Sequence, residues 1–169
     1  MTVPELNASG RAVFAAFLGH LFEHSPWVAE ETHDRRPFRD AAHLHGELCA
    51  TMRRADPERQ LALIRAHPDL AGRLAREGRL TAESAREQEG AGLGRLSPEE
   101  FAEFQRWNSA YRARFGFPFI ICARLNDRGR ILAAMRTRIG NSPGEEHAAG
   151  LAEIEKIAWL RLQDALKLA

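Results

Sequence analysis

Apolar side chains recur three and four positions apart through most of this chain, while Gly, Pro, Asn and Asp punctuate the runs. That is the period of amphipathic helices rather than of strands. A first helix is expected over residues 8–25, where Val13, Phe14, Phe17, Leu18, Leu21 and Phe22 form a wide apolar stripe that ends before Pro26. A short second helix carries Trp27 and Val28, and a third spans 38–55. A fourth covers 56–67, with Asp56 as N-cap and Pro57 at the first helical position. Pro68 disfavours α geometry at the residue before it, so this helix stops at His67 and a new one runs over 68–77, closed by Gly78. Further helices are expected over 81–93 from Thr81, over 97–115 with Ser97 and Pro98 at its start, and over 128–139, ending at Gly140 and Asn141. Ser142 and Pro143 open the last, which runs through 151–167. The exception is "GFPFIICARL" at 116–125, which is apolar, broken by Pro118, too short for a helix and without a strand partner elsewhere. The pattern therefore predicts an all-α fold: one helical bundle over 1–169, of about eight or nine helices, with a short extended apolar segment near 115–123.

Composition narrows the function classes. The chain has 169 residues, 44% hydrophobic and 28% charged, and a chain of this size buries about 68–70% of its unfolded surface, enough for one core without a metal or disulfide staple. Its 24 Lys and Arg against 23 Asp and Glu leave a formal charge of +1 with the signs interspersed, so no nucleic-acid partner is expected. Cys49 and Cys122 lack C-x-x-C spacing and read as buried, reduced thiols. The start "MTVPELNASG" has no basic residues leading into an apolar stretch, and no uncharged apolar window approaches the roughly eighteen residues of a membrane span. The end "LKLA" is not the Ser-Lys-Leu peroxisomal address. These features argue for a cytoplasmic protein with no membrane partner.

Three stretches carry candidate chemistry. In "RAHPDLAGRL", His67 stands at a helix elbow. Its ring either hydrogen-bonds backbone at the start of the next helix or serves proton transfer beside an anion site, since a helix N-terminus attracts negative charge. In "SAREQ", Ser84, Glu87 and Gln88 lie on one helical face. The first two also match a capping box, but the trio offers a hydroxyl, a carboxylate and an amide to a ring rich in N–H and C=O groups. In "FGFPFIICA", a non-helical apolar run leaves backbone amides that must find partners, either in the core or on a small polar heterocycle. The pairs His20/His24 and His43/His45 have metal-ligand spacing but no carboxylate or cysteine completing a site, and read as surface. His33 and His147 have no evident partner, and Trp27, Trp107 and Trp159 read as core or groove.

"HPDLAG" at 67–72, "SAREQEGAGL" at 84–93 and "FGFPFIIC" at 115–122 together resemble the OHCU decarboxylase family, and so do "SPWVAEETHDRRPF" and "NSPGEEHAAGLAEIEKIAWLRL". The resemblance covers almost the whole chain. It implies an all-helical, cofactor-free, metal-free decarboxylase, often a homodimer, that converts 2-oxo-4-hydroxy-4-carboxy-5-ureidoimidazoline (OHCU) to (S)-allantoin in urate breakdown. By match of motif, His67 takes the place of the catalytic histidine, with Pro68 beside it and Glu87 assisting. Ser84 and Gln88 match the substrate-holding face, and Phe119, Ile120, Ile121, Cys122 and Ala123 match the segment whose backbone meets the ring. Arg161, in "WLRL", is a further candidate, as a partner of the substrate carboxylate or of Glu87.

Two other classes compete. A helical phosphotransfer module needs an exposed histidine inside a helix, which Pro68 opposes. A non-catalytic helical binding domain has no need of the matched polar residues.

Overall fold

In the computed structural model, residues 1–72, 75 and 77–168 are described. Among them are nine α-helices and no strand: α1 (Val3–Ala8), α2 (Arg11–Leu18), α3 (Trp27–Thr32), α4 (Ala41–Arg54), α5 (Pro57–Ala66), α6 (Ala82–Gly90), α7 (Pro98–Phe115), α8 (Arg128–Arg138) and α9 (Pro143–Leu166). The fold is all-α, as the periodicity predicts. Short 3-10 turns cover 33–35, 93–95 and 123–125. Of the helix expected over 68–77, residues 68–72 are not helical, because Ala71 takes a left-handed conformation at φ +51°, and residues 73, 74 and 76 lie outside the described set.

The chain divides into two compact units, one comprising 1–66 with 154–169, the other 67–153. In the first unit, Leu6, Phe14, Leu18, Val28, Leu44, Leu48, Met52 and Leu63 are fully buried. Helix α3 packs on α2 and α4, and the Thr32 hydroxyl donates to Thr51 Oγ1 at 2.8 Å inside that contact. The helix expected over 8–25 is shorter, only 11–18 (α2), with turns and bends over 19–24, and the separate helix α1 precedes it. Thr2 and Glu5 form a capping box for α1, the chain breaks at Ser9 and Gly10, and α2 ends at Gly19. A Cβ at Gly19 would lie 2.6 Å from the Ala15 carbonyl oxygen, so this position takes glycine and the chain leaves the helix there.

In the second unit the polar caps sit where the sequence puts them. Asp127 accepts from Arg130 N at 2.8 Å at the start of α8. Ser97 and Glu100 cap α7 reciprocally, with Pro98 at its first position. Ser142 and Glu145 do the same for α9. Gly116, at φ +74°, closes α7 in the left-handed conformation, and the chain then runs from 117 to 122 without helix or strand. Phe104, Tyr111, Phe119, Ile131 and Met135 form the centre of this unit's core. No helix among the described residues is long and apolar enough to cross a membrane.

Candidate active site

The elbow forms as Pro68 requires: α5 ends at Ala66, and His67 is non-helical and only 7% exposed. Beyond it, the side chains of two helices strap the backbone of 69–71. Gln88 Oε1 accepts from Ala71 N at 2.9 Å and Gln88 Nε2 donates to Asp69 O at 3.3 Å. From α7, Gln105 Nε2 donates to Ala71 O at 2.8 Å and Asn108 Nδ2 to Leu70 O at 2.9 Å. Arg112 Nε reaches both carboxylate oxygens of Asp69, at 3.0 and 3.1 Å. These contacts hold Ala71 at φ +51°, a left-handed conformation that costs a residue with a Cβ about 1–2 kcal/mol. Gly72 is required next to it, because an added Cβ would lie 2.7 Å from Asp69 Cβ.

Helix α6 presents Ser84 and Gln88 on its buried face, each 5% exposed, with Glu87 half-buried beside them. The cap of this helix is Thr81, whose hydroxyl accepts from Ser84 N. Ser84 is therefore free of the capping-box role its spacing allows, and its side chain belongs to the inner face. Gln88 has two strap bonds and retains one N–H and one lone pair. α6 packs against the 3-10 turns 93–95 and 123–125, which brings it to the irregular apolar segment.

That segment is held from behind. Arg138 Nη1 donates to Ile120 O at 2.7 Å, and its guanidinium lies 4.4 Å over the Phe119 ring. The same guanidinium forks onto Glu146, with Nε at 3.0 Å from Oε1 and Nη2 on the same oxygen. Asn141 adds a 2.9 Å bond to this carboxylate, which is 1% exposed. Cys122 N donates to Glu153 Oε2 at 2.8 Å, and Asn126 Nδ2 donates to Cys122 O at 2.9 Å. Burial pushes the Cys122 thiol up, and the carboxylates of Glu153 and Glu87 act in the same direction.

The elbow, the inner face of α6 and residues 119–123 thus converge within one unit. Arg161 belongs to the other, where it is 4% exposed and its Nη1 lies 3.1 Å from Glu23 Oε2. A groove of about 480 Å³ opens beside the elbow, lined by Ala71, Leu93, Leu96 and Phe101 among others; none of the candidate side chains lines it. Of the remaining histidines, His45 stands edge-on to Trp159 at 5.2 Å, with Nε2 at 2.9 Å from Glu155 O. Among the described residues no three His, Cys, Asp or Glu converge as a metal site. Both cysteines are free and buried.

The residues that sequence reasoning passed over are the straps. Gln105, Asn108 and Arg112 are spaced three and four apart, a polar stripe on one face of α7 that was legible as such.

A buried elbow, a polar helix face and an irregular apolar segment thus lie together within an all-α fold. The structure superposes on the crystal structure of (S)-allantoin synthase with a TM-score of 0.80 at 29% identity, covering 98% of this chain and 54% of that one. The chain belongs to the OHCU decarboxylase family, whose profile matches residues 7–163. It is 38% identical to the 2-oxo-4-hydroxy-4-carboxy-5-ureidoimidazoline decarboxylase of Amia calva, over 99% of this chain and 95% of that protein. Identity to the enzyme of the same name from Halalkalicoccus jeotgali is 40%, over 97% and 91%.

Proposed function

We propose that this chain decarboxylates OHCU to (S)-allantoin in urate degradation, without a cofactor, through one site built on His67, Pro68, Ser84, Glu87, Gln88 and residues 119–123. In this reading residues 1–169 work as one domain in the cytoplasm and pair as a homodimer. The observation that carries the reading is the convergence of the elbow, the α6 face and the irregular apolar segment in a member of this family.

The substrate supplies its own electron sink. The C–C bond to the carboxylate breaks, CO2 leaves, and the electron pair moves into the adjacent C=N, whose nitrogen takes a proton. The hydroxyl then loses its proton to become a carbonyl while the neighbouring ring carbon gains one. The protein has three tasks. Ser84, Gln88 and the 119–123 backbone hold the ring so that the breaking bond stands perpendicular to the sink. Phe117, Phe119 and Ile120, all at most 5% exposed, keep water from the carboxylate, which disfavours localised charge more than dispersed charge. His67 moves the protons on one face, with Glu87 fixing its ring and tautomer.

His67→Ala is expected to lose about 100- to 10,000-fold in turnover, the usual worth of general acid–base help, and Glu87→Gln to lose turnover with the fold retained. Decay of enzymatically generated OHCU, followed in the ultraviolet, measures both; full turnover in His67→Ala would overturn the assignment. A phosphotransfer role is disfavoured by the burial of His67 outside any helix.

A further inference from the structure

Ile121 lies between two peptide groups, each tied to a charged side chain. Arg138 Nη1 holds the Ile120 carbonyl at 2.7 Å, and Glu153 Oε2 holds the Cys122 N–H at 2.8 Å. Both peptides are trans, and in a trans peptide the C=O and N–H point in opposite directions. The arginine therefore turns the N–H of Ile121 away from itself, and the glutamate likewise turns the C=O of Ile121 away. Among the described residues neither group has a protein partner, although Ile121 is only 9% exposed. Buried peptide groups need partners, and two adjacent ones, a donor and an acceptor, match an –NH–C(=O)– edge.

The charges also polarise what they aim. A guanidinium on the Ile120 oxygen strengthens the N–H across the same peptide as a donor, and a carboxylate on the Cys122 N–H strengthens the Ile121 oxygen as an acceptor. Arg138 is itself immobilised by the fork onto Glu146 and by Phe119, which Tyr111 meets edge-on at 5.1 Å.

We propose that Arg138 and Glu153 are positioning residues that orient and polarise the Ile121 N–H and C=O as a paired donor and acceptor for the lactam or ureido edge of the substrate. This rests on the reading of residues 119–123 as the substrate-gripping backbone. Neither side chain touches the reacting atoms.

The test uses E153A, E153Q and R138K, with KM and kcat measured on freshly generated OHCU and melting recorded as a check on folding. R138K keeps a positive charge opposite Glu146, so it avoids leaving that buried carboxylate unpaired. E153A sits on a half-buried helical position that alanine suits. E153A is expected to raise KM about tenfold, the worth of one well-oriented hydrogen bond, with kcat near wild type. E153Q, which keeps an acceptor without the charge, recovers part of this, and R138K raises KM in the same sense. A purely structural role would lower kcat through loss of active enzyme at unchanged KM, and that result overturns the proposal. In parallel, the Ile121 amide resonance of 15N-labelled wild type is followed on addition of (S)-allantoin. A response there, combined with unchanged KM in E153A and R138K, defeats the positioning role alone. No response of Ile121 defeats the underlying reading of the segment, and this inference with it.

Discussion

Gln88→Met tests whether the strap sets the geometry of the elbow. Methionine keeps the volume of the side chain but can make neither the 2.9 Å bond from Ala71 N nor the 3.3 Å bond to Asp69 O. Leaving a buried N–H unpaired costs about 1–3 kcal/mol, and the longer second bond adds little. Gln105 and Asn108 still hold the Ala71 and Leu70 carbonyls, so Ala71 stays near φ +51° and little of its steric cost is returned. The net cost is on the order of 1–3 kcal/mol, which at 1.4 kcal/mol per factor of ten is roughly 5- to 150-fold in the opening equilibrium of the elbow. Native-state hydrogen exchange reads this directly. The Gly72 amide, which donates to Asp69 O at 3.3 Å, should exchange faster by that factor, while amides in the middle of α7 keep their wild-type rates. Loss of kcat/KM should accompany it, because His67 lies on the opened segment. Wild-type exchange at Gly72 together with kcat/KM within twofold of wild type would refute the reasoning.

Other expectations follow from the same structure. Gly72→Ala forces a Cβ to 2.7 Å from Asp69 Cβ, so it should lower kcat/KM at least tenfold; an unaltered value would show that the turn can shift. Ser97→Ala removes the cap of α7 and half of its capping box, at a cost of about 0.5–2 kcal/mol in denaturant unfolding. Burial pushes the Cys49 thiol from an ordinary value of 9.0 up to about 12. Its neutral form is thus favoured by folding, so its contribution to stability is fully present below about pH 9 and is lost as pH rises toward 12. Wild type should therefore lose melting temperature between pH 8.5 and pH 10.5 (roughly the accessible window) more steeply than Cys49→Ala; parallel slopes would contradict this.

The helices were legible where a capping residue and proline coincide. Asp56 with Pro57, Ser97 with Pro98 and Ser142 with Pro143 each mark a start that the structure reproduces. The first 25 residues misled for a physical reason. The apolar stripe of 13–22 continues past Gly19, but burial of Leu21 and Phe22 needs only that they face the core, not that they be helical. The Thr2-x-x-Glu5 box was present in the sequence and marks α1. At the candidate site, the elbow followed from Pro68, and the buried pair Ser84 and Gln88 followed from their spacing. Arg138, Glu146 and Glu153 left no such mark, because their partner is irregular backbone whose place depends on the packing of distant helices. The role of Thr81 shows the converse: the Ser84-x-x-Glu87 spacing satisfies a capping pattern that the helix does not use, since it begins three residues earlier.

The central claim is that one face of a bound ring is protonated under the control of His67. The most direct measurement generates OHCU in place from urate with urate oxidase and hydroxyisourate hydrolase, then records both the ultraviolet decay of the intermediate and the circular dichroism of the allantoin formed. The account predicts accelerated decay and a single (S) enantiomer with the wild-type chain, and with His67→Ala a decay slowed by about 100- to 10,000-fold and loss of the single enantiomer. Racemic allantoin from the wild-type chain, or undiminished (S) product from the variant, would contradict it.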